Sequence, residues 1–113
     1  MQKRKILIDF DGVINDYDGN YDEKILPKKK IGVEKFLNTL ILLNFELYIF
    51  TSRNLLKVSK WLIKNKLDEY FFDITNNKIP AYLYIDDRTI CFNGDYNKLL
   101  DDIKNFKIYW ENK

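Results

Sequence analysis

Three short apolar runs, residues 5–8, 45–50 and 81–85, each break off into polar residues capable of chemistry. Helical patterns separate the runs. A chain that alternates in this way builds a mainly parallel sheet, because parallel neighbours need a crossover element between them. The first run is the most telling, since Lys5-Ile6-Leu7-Ile8 ends in Asp9-Phe10-Asp11-Gly12. Residues i and i+2 of an extended backbone share a face, so Asp9 and Asp11 project together and Phe10 points away. Two carboxylates this close repel unless a cation joins them or one keeps a proton. Gly12 lets the chain turn sharply at once. The plainer reading of the same residues is a strand followed by an ordinary polar turn.

The remaining elements follow from periodicity. Residues 15–30 are polar and turn-rich, with Asp16, Asp18, Gly19, Asn20 and Pro27, and read as a surface loop or flap beyond the acid pair. Val33, Phe36, Leu37, Leu40 and Ile41 recur at helical spacing, and Asn44 stops that helix. The run 45–50 leads into Thr51-Ser52-Arg53, and a second helix carries Leu55, Val58, Trp61 and Leu62 as far as about Lys66. Residues 70–74 suggest a short strand. Ala81-Tyr82-Leu83-Tyr84-Ile85 is apolar on both faces, as a central parallel strand is, and runs into Asp86-Asp87-Arg88. Asp95 is placed to cap a last helix whose apolar face holds Tyr96, Leu99, Leu100 and Ile103. Residues 106–110 form an edge strand or a packed tail. The expected fold is therefore α/β, a single Rossmann-like three-layer domain over residues 1–113 with a mainly parallel sheet.

Composition narrows the function. Hydrophobic residues at 46% and aromatics at 16% of 113 positions argue for one packed core and against disorder. A net charge of +2 makes no case for nucleic acid or membrane as an obligatory partner. No apolar run is long enough to span a bilayer. The single cysteine, Cys91, cannot build an internal disulfide and points to a reducing, cytoplasmic setting. The chain contains no histidine, so acid–base work falls to Asp, Glu, Lys or Tyr, and imidazole-based zinc sites are excluded.

In open parallel sheets, ligands bind at the carboxyl ends of the strands. That rule gathers Asp9 and Asp11, Thr51 and Ser52, and Asp86 and Asp87 into one place, with Lys78 just ahead of the third run. Hydroxyls where a strand meets a helix N-terminus suit a phosphate. Carboxylates from two strands make a hard, all-oxygen site that suits magnesium. Taken singly, Thr-Ser is also a helix cap, Asp-Asp-Arg a solvated turn and Lys78 one surface lysine among many.

With these residues in place the sequence resembles the haloacid dehalogenase-like hydrolase superfamily, mostly magnesium-dependent phosphatases. Ile8-Asp9-Phe10-Asp11-Gly12-Val13 is similar to the first motif, Ile49-Phe50-Thr51-Ser52-Arg53 to the second and Leu83-Tyr84-Ile85-Asp86-Asp87 to the fourth, while Lys78 stands for the third. The resemblance implies that Asp9 is a nucleophile forming an aspartyl-phosphate and that Asp11 is the acid–base residue. It implies Thr51, with Ser52 and Lys78, on the phosphoryl group. Mg2+ would be held by Asp9, the Asp11 backbone carbonyl and Asp86, with Asp87 and Arg53 in support. Many relatives carry a cap domain between motifs, and neither gap here has room for one. An open site of that kind goes with large substrates or with homo-oligomers that supply cover. The expected substrate is a phosphomonoester, either a sugar phosphate or a nucleotide or polynucleotide end, with no obligatory protein partner. Three rivals remain: a receiver-like domain that accepts a phosphoryl group, a metal-dependent nuclease using Asp9, Asp11 and Asp86, and a non-catalytic binding module.

Overall fold

Strand β1 (Arg4–Asp9) occupies an inner position of the sheet, and everything that follows is placed relative to it. The computed structural model describes residues 2–111. After β1 come α1 (Val33–Leu42), β2 (Phe45–Phe50), α2 (Leu55–Lys64), a 3-10 turn at Asp68–Tyr70, β3 (Phe71–Thr75), β4 (Leu83–Ile85) and α3 (Tyr96–Asn105). The four strands are all parallel in the order β3-β2-β1-β4, with Ile6 beside Leu47 and Leu83, and Ile8 beside Ile49 and Ile85. This is the expected α/β, Rossmann-like fold with no cap inserted.

The two crossovers β1-α1-β2 and β2-α2-β3 step in the same direction across the sheet. Right-handed crossovers that step one way put their helices on one face. Accordingly Val33, Leu37 and Leu40 of α1 and Val58 and Leu62 of α2 close over Ile6, Ile8, Leu47 and Ile49 in one core. Burying each such side chain contributes about 1.5–3 kcal/mol. Helix α1 ends at Leu42 with Leu43 as its cap, and Asn44 adopts φ 71, a left-handed turn that Asn tolerates. Helix α2 begins at Asn54, whose side chain accepts from the Lys57 N–H.

The other sheet face is covered differently. Leu7 and Tyr48 are buried there, yet their cover is side-chain stacking: Lys5 over the Tyr48 ring, Phe72 against Tyr48, and Lys78 over the Tyr84 ring. Helix α3 is capped by Asp95 as expected, but none of its residues is buried, and Tyr96, Leu100 and Ile103 are exposed. The described residues span 44 × 41 × 25 Å, a slab thin along one axis.

Two expectations are corrected and one alternative is decided. The strand at 83–85 is an edge strand and not a central one, because the chain beyond it forms α3 and a tail and adds no fifth strand. Residues 106–110 therefore belong to that tail. The segment 15–30 is not all surface, since Asn15 is fully buried. Its base is closed by the Asp16 N–H donating to the Lys28 carbonyl and the Lys30 N–H donating to the Ile14 carbonyl, both at 2.9 Å. Among the described residues no helix is long and apolar enough to cross a membrane.

Candidate active site

The strand order reverses between β1 and β4: the chain builds outward from β1 to β3, then returns to β1's other side. A crevice opens at the carboxyl end of such a reversal. Asp9 ends β1 and Asp86-Asp87 follow β4, so the fold delivers three carboxylates to this one crevice. Carboxylate oxygens of Asp9, Asp86 and Asp87 lie within 4.8 Å of one another. Burial pushes the Asp9 carboxyl up to about 8, reinforced by the charges of Asp86, Asp87 and Asp11 and by a hydrogen bond with Asp87. A cation is the natural complement to such a group, and its all-oxygen donors suit a hard divalent ion.

The three acids open into a cavity of about 250 Å³ whose other walls include Asp11, Tyr17, Tyr21, Thr51, Ser52 and Arg88. Thr51 is buried, and its Oγ1 accepts the Arg53 N–H at 3.0 Å. Asn76 Nδ2 donates to the Thr51 and Arg53 carbonyls, fastening this turn to the end of β3. Lys78 borders a smaller neighbouring cavity that shares Asp9, Phe50 and Asp86 with the first. Its Nζ lies 4.5 Å from the Tyr84 ring centroid. The structure thus brings Asp9, Asp11, Thr51, Ser52, Asp86 and Asp87 around one cavity and sets Lys78 on the far side of the acids.

Asp11 does not turn its carboxylate into the acid cluster. Arg53 Nε donates to both of its oxygens at 3.0 and 2.8 Å, and Asn15 Nδ2 donates to Oδ1 at 3.0 Å. The same guanidinium donates from Nη1 to the Asp22 carbonyl and stacks on the Tyr21 ring, so it joins Asp11 to the flap. Arg53 is buried, and its Nη2 is the one buried side-chain nitrogen or oxygen among the described residues with no partner. Asn15 works from the other side, its Oδ1 accepting the Gly12 and Tyr17 N–H groups at 3.1 Å each.

Sequence reasoning missed Asn15, Tyr109 and Trp110. The Tyr109 hydroxyl donates to the Gly12 carbonyl, and Trp110 Nε1 donates to Asp87 Oδ2 at 2.5 Å. The available signal was an adjacent Tyr-Trp in a tail otherwise rich in charge. Gly12 sits at φ 87, and a Cβ there would fall 2.2 Å from Asp87 Oδ2, so turn and acid close up because this residue has no side chain.

No family model and no curated protein matches the chain. A solved structure of a conserved protein from Bacteroides thetaiotaomicron is similar over 91% of both chains, with a TM-score of 0.62 and 22% sequence identity. That likeness is one of fold.

Proposed function

We propose that this chain is a magnesium-dependent phosphomonoester hydrolase that works through an aspartyl-phosphate on Asp9. The observation that carries the reading is the convergence of the Asp9, Asp86 and Asp87 carboxylates beside the buried Thr51 hydroxyl, at the sheet's reversal point. The resemblance to haloacid dehalogenase-like hydrolases supports the same assignment. Asp9, Asp86 and Asp87, with the backbone carbonyl of Asp11, would hold the ion. Bound magnesium neutralises the carboxylates and the phosphate together, so an anionic nucleophile can approach an anionic ester.

The residues of the chain supply the rest. Asp9 attacks phosphorus, and the ester oxygen leaves with its bonding pair and takes a proton from Asp11. Asp11 then removes a proton from the water that attacks the aspartyl-phosphate, and the phosphorus–Asp9 bond breaks to release phosphate. Arg53 and Asn15 orient the Asp11 carboxylate for the second transfer, in which it takes the proton from water. Thr51 and Ser52 border the space where the phosphoryl oxygens would lie, and Lys78 brings a positive charge to the other flank of the acids. A 250 Å³ opening holds a phosphoryl group and the near part of its leaving group. Both a sugar phosphate and a nucleotide or polynucleotide end satisfy that size.

Turnover of an aryl phosphate with magnesium tests the reading. The wild-type chain is expected to hydrolyse it and to lose all activity reversibly on chelation. Asp9→Asn is expected to fall by at least ~1,000-fold with an unchanged circular dichroism spectrum. Hydrolysis by the folded Asp9→Asn variant, or full activity in excess chelator, removes this mechanism. A panel of sugar phosphates, nucleotides and 3′-phosphorylated oligonucleotides then selects the substrate class.

A further inference from the structure

Tyr109 and Trp110, beyond α3, touch the turn after β1, the acid cluster and the flap. Trp110 donates its single indole N–H to Asp87 Oδ2 at 2.5 Å. Its ring meets Tyr17 of the flap edge to face, with centroids 5.4 Å apart and planes at 82°. The same ring lies so close to Gly19 that a Cβ there would meet it at 3.0 Å. The Arg88 guanidinium sits over the ring at 5.3 Å from its centroid. Beside it, the Tyr109 hydroxyl donates to the Gly12 carbonyl, and Lys30 at the flap's base lies over the Tyr109 ring. A tryptophan placed for core packing meets apolar neighbours. This one meets a carboxylate, a guanidinium, a phenol ring and a glycine.

We infer that Trp110 is a positioning residue: by holding Oδ2 it fixes the rotation of the Asp87 carboxylate, and by packing on Tyr17 and Gly19 it ties that acid to the flap. The inference rests on the phosphatase reading, in which Asp87 helps hold the divalent ion. A carboxylate that pivots freely offers a cation either oxygen at an entropic cost. One held by an outer hydrogen bond presents the remaining oxygen in a single orientation, and loss of such a partner typically lowers metal affinity 10–100-fold. The tie to the flap adds a second consequence, because cation binding and flap position then share one side chain.

Two experiments test it. In a Trp61→Phe background Trp110 is the sole tryptophan, and its emission is expected to change saturably as magnesium is added. Asp87→Asn in that background is expected to remove the change. In the otherwise wild-type chain, Trp110→Phe keeps an aromatic ring and removes the donor. It should weaken magnesium binding about tenfold by calorimetry and raise the magnesium concentration for half-maximal turnover to match. Its turnover at saturating magnesium should stay within about twofold of wild type. Trp110→Ala, which also loses the Tyr17 contact, should in addition raise KM. Magnesium binding with unaltered affinity in Trp110→Phe, or without a response from Trp110, overturns the positioning role and leaves the phosphatase reading standing. No magnesium binding to the wild-type chain, together with no hydrolysis, overturns both.

Discussion

The chain divides near Leu67 into two regions held together by different forces. Among the described residues every fully buried side chain lies between Ile6 and Leu67, while residues 68–111 contain none. The earlier region is a core of apolar side chains, mostly aliphatic with Phe10 among them, under α1 and α2. The later one is fastened by the β1–β4 and β2–β3 pairings, by rings stacked with cations, and by the hydrogen bonds of Tyr109 and Trp110. The crevice straddles the boundary. Asp9, Asp11, Thr51 and Arg53 come from the packed region, and Lys78, Asp86, Asp87 and Trp110 from the other. A site built in this way has one wall set in the fully buried core and one joined to it by partly buried side chains, Tyr70, Phe71, Ile74 and Ile85 among them.

The comparison is broken most sharply by asking whether both walls do chemistry. Asp86→Asn, on the loosely packed side, is expected to reduce turnover by roughly 1,000-fold at moderate magnesium without altering the circular dichroism spectrum. Near wild-type turnover would reduce the later region to a scaffold. Next in size is Leu62→Ala in the packed region, where a fully enclosed side chain leaves a cavity. A loss of about 2–5 kcal/mol is expected in urea titration.

The third prediction concerns the acids where the regions meet. The Asp9 carboxyl is pushed up to about 8 from 3.8, so between those pH values the folded chain keeps a proton that the unfolded chain has released. Stability of the metal-free protein contributed by this group is therefore full below pH ~4 and lost as pH rises through ~8. The melting temperature without magnesium should fall by at least ~5 °C between pH 5 and pH 8, since one unmatched proton over three pH units amounts to roughly 4 kcal/mol before solvent screening reduces it. Added magnesium should restore it mainly at pH 8, where the ion no longer competes with a proton. Asp9→Asn should flatten the metal-free profile, and an equally steep profile in that variant would assign the slope to other groups. The smallest effect is the sharpest contrast with Leu62. Leu100→Ala on α3, where the side chain is 54% exposed, should change stability by less than about 0.5 kcal/mol. A loss like that at Leu62 would mean that α3 is covered in solution.

What was legible in the sequence separates along the same line. The strand at 45–50, the Val33/Leu37/Leu40 and Val58/Leu62 stripes and the Asp95 cap lie where periodicity and cap chemistry put them, while the cap of α2 is Asn54 and not the Thr51-Ser52 pair. Periodicity reports that a face is apolar and says nothing of what covers it, and the Tyr96/Leu100/Ile103 face of α3 lies exposed. An inner strand and an edge strand of three apolar residues read alike, which hid the position of β4. Asn15 looked like a turn residue because its burial depends on Asp11 and on the two backbone N–H groups it caps. The contacts of Tyr109 with Gly12 and of Trp110 with Asp87 bridge distant parts of the chain and leave no local pattern to find.

The placement of β1 between β2 and β4 also sets a timetable. Its partners on one side arrive soon after it in the chain, whereas Leu83, which pairs with Ile6, is made long afterwards. During synthesis the emerging chain acquires every residue of the aliphatic core by Leu67 and can collapse around it. Closing the much longer loop to β4 is the slower event. Asp9 thus waits on a chain whose core is already complete, and the meeting of its carboxylate with Asp86 and Asp87 is among the last contacts made.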